Sequence, residues 1–129
     1  MIAKITTGKD IYGALVYNQE KVNEGLGKVL ASNIIPEPED GRFSVAACTD
    51  AFNRWLPSHY RTEKPVIHIS LNPHPEDKLT DDRLADVGRE YLQQMGYGAQ
   101  PYLIFKHSDI DREHIHIVSL QVDSEGKKI

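Results

Sequence analysis

The chain has 129 residues, 40% hydrophobic and 26% charged, a balance that excludes disordered and fibrous classes and leaves room for one domain around one core. Fifteen Lys and Arg stand against 19 Asp and Glu, a formal net charge of −4, so the overall composition lacks the basic footprint that nucleic-acid binding usually leaves. Cys48 is the single cysteine, which excludes a disulfide framework or a thiolate zinc site within one chain and fits a reducing compartment.

MIAKITTGKD has no signal-peptide core, and no stretch approaches the roughly 20 apolar residues needed to span a bilayer, so a cytoplasmic protein with no membrane partner is expected. Ile2 to Thr6 reads as a short strand stopped by Gly8. Asp10 is placed to cap a helix that begins at Ile11, with Ile11, Ala14 and Leu15 at helical spacing. Gly25 and Gly27 punctuate the chain before KVLASNII, residues 28–35, a second strand, and PEPEDG, residues 36–41, reads as a loop. A helix is predicted from Phe43 to Trp55, with Phe43, Ala46, Ala47 and Phe52 near one face. PVIHISL, residues 65–71, is a strand whose Val66, His68 and Ser70 point one way and Ile67, Ile69 and Leu71 the other.

Thr80 caps a predicted helix from Asp81 to about Met95, closed by Gly96 and Gly98. Two final strands, PYLIFKH and EHIHIVSLQV, are joined by a turn around SDIDR. This alternation argues an α+β fold: about a five-stranded, antiparallel-rich sheet with helices packed mainly on one face. Residues 1–129 are expected to form a single domain, cut short at its C-terminal end.

His114 and His116 leave the same face of the last strand while Ile115 and Ile117 enter the core. His107 ends the preceding strand, and the short turn brings it back beside the pair. Three imidazoles from two paired strands form a facial nitrogen set for a metal ion with coordination positions left open. Asp109 and Asp111, in the turn, are close enough for one of them to accept a ligand's spare ring N–H. A histidine-triad hydrolase would need another alternating histidine where Val118 stands, and a structural zinc site would close its fourth position with Cys or His.

The run from His107 through Asp109 and Asp111 to His114 and His116 resembles the third motif of conjugative relaxases, the mobilization nucleases with a histidine-hydrophobe-histidine signature. MIAKITTG and LVYNQEK resemble the opening strand and nucleophile helix of that family, and PVIHISLNP its middle motif, in the style of mobilization proteins of Bacteroides-type conjugative or mobilizable elements. The resemblance covers residues 1 to about 122. It implies a five-stranded sheet, a divalent cation (Mg or Mn) held by His107, His114 and His116, and a tyrosine that attacks DNA. The implied reaction is metal-dependent, strand-specific nicking at an origin of transfer, leaving a 5′-phosphotyrosyl link and a free 3′-hydroxyl. The implied partners are single-stranded or supercoiled origin DNA and accessory relaxosome and coupling proteins.

Tyr12 and Tyr17, five apart, differ by about 140° around one helix and cannot both face the metal. Tyr17 matches the family position and is the expected nucleophile, with Tyr12 in reserve. Asp109 is the candidate to take the tyrosine proton or, alternatively, to orient a histidine. Ser70 is the candidate DNA contact beside His68. Trp55, Tyr60, Tyr91, Tyr97 and Tyr102 read as packing residues, and His59 and His74 carry no assigned role. Two other readings stay open: a non-catalytic metal- or DNA-binding relaxase fragment, and a metal-dependent phosphoesterase that uses bound water. The acidic charge departs from the family's basic cleft, but the distribution of charge governs binding more than its total. The resemblance implies that a further C-terminal part supplies the basic clamp.

Overall fold

The computed structural model describes residues 2–36, 44–74, 76, 78–108 and 113–129. Its elements, in chain order, are β1 (Ile2–Gly8), α1 (Ile11–Asn23), β2 (Gly27–Asn33), α2 (Val45–Trp55), β3 (Val66–Asn72), α3 (Asp81–Gln94), β4 (Tyr102–His107) and β5 (His114–Leu120). The predicted helix start at Phe43 and the turn residues Asp109 and Asp111 lie outside the described residues.

Local chemistry explains the helix boundaries. Asp10 accepts a hydrogen bond from the Tyr12 backbone N–H at 3.1 Å, Ser44 from Ala47 at 3.2 Å and Thr80 from Arg83 at 3.2 Å, so each helix begins on a side-chain oxygen that satisfies an otherwise unpaired donor. Just past the end of α3 stands Gly96, whose φ of 86° suits a residue without Cβ. There Tyr97 N–H bonds back to the Leu92 carbonyl at 2.8 Å and Gly96 N–H to Gln93 at 3.1 Å, which satisfies two of the last carbonyls. β2 is shorter than the predicted 28–35 strand at its far end. Ile34 takes a φ of 69°, which breaks the ladder and turns Ile35 into the core while Ile34 stays exposed.

The five strands form one sheet in the order β1-β3-β5-β4-β2, with every neighbouring pair antiparallel. β5 is therefore central and buried along its whole length. Its alternation divides the two faces. Ile115 and Ile117 join Ile67, Ile69, Leu71 and Ile104 beneath Leu84, Ala85 and Leu92 of α3. On the opposite face Val118 and Leu120 join Leu103 and Phe105 beneath Ile11 and Leu15 of α1 and Cys48, Ala51 and Phe52 of α2. Among the described residues, α1 and α2 thus share one face and α3 covers the other. Each fully buried Leu, Ile or Phe in these layers contributes about 1.5–3 kcal/mol of transfer free energy.

Two polar devices fasten the margins. Lys28 and Lys106 stand opposite each other on β2 and β4, and each places its ammonium 2.7 Å from the Asp81 carboxylate in the first turn of α3. Hydrogen bonding to Lys106 and then Lys28 holds the Asp81 carboxyl below its ordinary range, and the same bond to Asp81 raises Lys106. Beyond β5, the Gln100 amide donates to the carbonyls of Leu120 and Val122 at 2.7 and 2.8 Å, and the Trp55 indole N–H donates to Val122 at 3.1 Å.

α3 approaches the sheet closely because Gly88 faces Ile104. A Cβ at that position would lie 3.0 Å from Ile104 Cδ1 and 3.3 Å from its Cγ2. Gly88→Leu is therefore expected to destabilise the fold by about 1–3 kcal/mol through overpacking, read as a lower urea midpoint with an unchanged m-value. Gly88→Ala should cost less, because a helix-propensity gain of about 1 kcal/mol offsets the smaller clash.

Candidate metal centre

The α1/α2 face of β5 changes character along its length. Val118 and Leu120 extend the core, but His116 and His114, next on the same face, replace the aliphatic side chains that would otherwise continue it. His107 stands directly opposite His114 across the β4–β5 ladder. All three rings are buried: those of His107 and His116 stack with centroids 3.9 Å apart at 22°, and His114 meets His116 edge-on at 4.7 Å. One ring nitrogen from each lies within 4.8 Å of the others, close enough for a single ion to draw all three to bonding distance. A buried cluster of imidazoles, whose ring nitrogens are common ligand atoms, suits a divalent metal.

Two of the rings are oriented by neighbours. His107 Nε2 lies 2.9 Å from the amide oxygen of Asn18, a fully buried residue of α1. His116 Nδ1 lies 3.1 Å from His68 Nε2, with the ring centroids 4.9 Å apart. Burial pushes the His68 imidazole below its ordinary value, which favours the neutral ring. Spacing along β3 gives His68 no fixed role, and Asn18 is not among the site residues named from the sequence. Asn18 did have a signal: it occupies the third position of the apolar stripe Ile11, Leu15, Asn18, where a helix facing the core would carry another aliphatic residue.

α1 also brings Tyr17 to the cluster. Its ring centroid is 6.0 Å from that of His107 and 6.4 Å from that of His116, and the residue remains 46% exposed. The Lys21 ammonium lies 5.9 Å from the Tyr17 ring centroid. Tyr12, one position past Ile11 on the same helix, is 55% exposed, and the helical rotation turns it away from the stripe that carries Asn18. Ser70, on β3, stands opposite His116 of β5 on one side and Lys4 of β1 on the other, and its hydroxyl accepts a 3.4 Å bond from Asn72. The surface leading from the histidines toward β1 therefore presents Ser70, Thr6 and Lys4 in place of aliphatic side chains.

The remaining candidates lie elsewhere. Tyr97 and Tyr102 are buried in the α3 layer with Tyr91 packed against it, Trp55 packs against the α1/α2 layer, and Tyr60 is exposed. His59 lines an open concavity with Arg61, Lys127 and Lys128, and His74 Nδ1 accepts from the Glu76 N–H at 3.2 Å. Among the described residues no helix is long and apolar enough to cross a membrane.

Compared with known proteins, residues 17–129 match the family model described as relaxase, MobA/VirD2-like, nuclease domain. No curated protein and no solved structure matches the chain.

Proposed function

The chain belongs to the MobA/VirD2-like relaxase nuclease family, and from that premise we propose that it nicks one DNA strand at an origin of transfer by tyrosine transesterification dependent on a divalent cation. The observation that carries this reading is the approach of the half-exposed Tyr17 ring to three buried imidazoles whose nitrogens gather within 4.8 Å.

In this reaction the Tyr17 oxygen attacks the scissile phosphorus, the P–O3′ bond breaks and its electron pair leaves on O3′, which takes a proton from water to become the 3′-hydroxyl. One phosphodiester bond replaces another, so the step runs in reverse to reseal the strand. Asp109 is the proposed acceptor of the Tyr17 proton, which leaves the phenolate as the attacking form. Ser70, beside His116, is the proposed contact to DNA next to the nick. A divalent cation held by His107, His114 and His116 supplies Lewis-acid polarisation of the phosphate oxygens and local positive charge in an otherwise acidic chain. Three imidazole donors suit Mn²⁺ better than Mg²⁺, which prefers oxygen ligands. Accessory relaxosome and coupling proteins, and a bacterial cytoplasmic location, complete the proposal.

The test is incubation of the protein and Mn²⁺ with labelled single strands tiled across the DNA that flanks its own gene, followed by a denaturing gel. The expected result is protein covalently attached to the 5′ end of one cleavage product and a free 3′-hydroxyl on the other, with neither formed in the presence of EDTA. Cutting that gives a free 5′-phosphate and survives the double change Tyr12→Phe and Tyr17→Phe would instead identify a phosphoesterase that uses water. Binding of DNA and cation without any cut would identify a non-catalytic binding module.

A further inference from the structure

Asn18 and His107 come from different elements, α1 and β4, and both are fully buried where their polar atoms meet. The Asn18 amide nitrogen donates to the Ala14 carbonyl at 2.8 Å, one turn back along the helix. Exchanging its oxygen and nitrogen would place two oxygens in contact there, so the amide is fixed with Oδ1 toward the histidine. That oxygen lies 2.9 Å from His107 Nε2 and can only accept. A neutral imidazole carries one ring proton, and the amide oxygen draws it to Nε2. The lone pair is then on Nδ1, also a buried atom.

We propose that Asn18 is a positioning residue that holds His107 as the Nε2–H tautomer, so that His107 offers Nδ1 to the cation. This inference rests on the reading of the three histidines as metal ligands. It makes Asn18 the outer partner of that ligand, the role in which a carboxylate or carbonyl commonly fixes a metal-bound histidine. Because Tyr17 is the preceding residue on α1, the same hydrogen bond ties the helix that carries the tyrosine to the strand that carries the ligand. A leucine at position 18 would continue the apolar stripe yet offer the ring no acceptor.

The experiment is NMR of ¹⁵N-histidine-labelled protein, metal-free and with Zn²⁺ as a diamagnetic probe, together with calorimetric titration of Zn²⁺ and Mn²⁺. In the unaltered protein, His107 should show a slowly exchanging proton on Nε2 without metal, and Zn²⁺ should shift Nδ1 while that proton persists. Asn18→Leu should lose the protected Nε2–H and bind either cation about 10–100-fold more weakly, the range typical for loss of an outer partner. Asn18→Asp keeps an acceptor and should restore both the resonance and most of the affinity. A proton on Nδ1 with metal on Nε2 in the unaltered protein overturns the proposal, as does an Asn18→Leu protein with unchanged affinity and tautomer. These wild-type spectra decide the matter even where Asn18→Leu does not fold. If the unaltered protein binds neither Zn²⁺ nor Mn²⁺, the metal reading fails and the ligand half of the proposal with it, while the metal-free spectrum separately decides the tautomer.

Discussion

Tyr17→Phe is expected to abolish the covalent DNA adduct while leaving the fold and the cation affinity nearly unchanged. The substitution removes one oxygen and keeps the ring that lies 6.0 and 6.4 Å from His107 and His116. Because the residue is 46% exposed, its hydroxyl loses little on returning to water, and a stability change within about 0.5 kcal/mol is expected for such a site. The chemistry has no such tolerance, since without a phenolic oxygen no phosphotyrosyl bond forms. Tyr12→Phe should keep the adduct. DNA binding is measured on the same samples, so that a missing adduct reports on bond formation and not on a lost complex. Should Tyr17→Phe keep the adduct and Tyr12→Phe lose it, the nucleophile is Tyr12. Retention by both single variants would move the nucleophile off α1 altogether.

The histidine variants should behave in the opposite way, losing metal and activity together. Alanine at His107, His114 or His116 is expected to weaken Mn²⁺ binding at least about tenfold by calorimetry, and His114→Ala combined with His116→Ala should eliminate it. Mn²⁺ should bind the unaltered protein more tightly than Mg²⁺, because the gathered donors are ring nitrogens. The direction with pH is fixed by competition: a proton on the ligating nitrogen occupies the lone pair the metal needs. Affinity should therefore fall on acidification. Trp55, the last residue of α2, packs against the core with its indole bonded to Val122 and offers a fluorescence check that each variant has kept its fold. Unchanged Mn²⁺ binding by the double variant would remove these histidines from the site.

Much of the site was legible in the chain because it depends on local periodicity. Alternation along β5 dictates that His114 and His116 share a face while Ile115 and Ile117 take the other, whatever the rest of the fold does. The antiparallel pairing of β4 with β5 returns His107 to the same pair. The helix rotation separates Tyr12 from Tyr17 for the same kind of reason, and the caps at Asp10 and Thr80 stand where their side chains imply.

Tertiary structure alone decided the rest. The order β1-β3-β5-β4-β2 puts the histidine strand at the centre of the sheet, and nothing local to β5 specifies which strands flank it. α3 covers the face opposite α1 and α2 because Ile104, Ile115 and Ile117 form an apolar surface complementary to Leu84, Gly88 and Leu92, a match between segments well separated in the chain. Nor could β2 be seen to stop at Asn33, since KVLASNII holds no Gly or Pro to end it and the burial of Ile35 under the helices accompanies the turn of the chain at Ile34. The Asn18–His107 bond spans 89 positions in sequence, and the His116–His68 contact spans 48. Spacing sees which side chains share a face of one element, but it carries no information about what the packed partner presents to that face. The ligand cluster could therefore be read from the chain, whereas the groups that orient its rings became visible only when α1 and β3 were packed beside it.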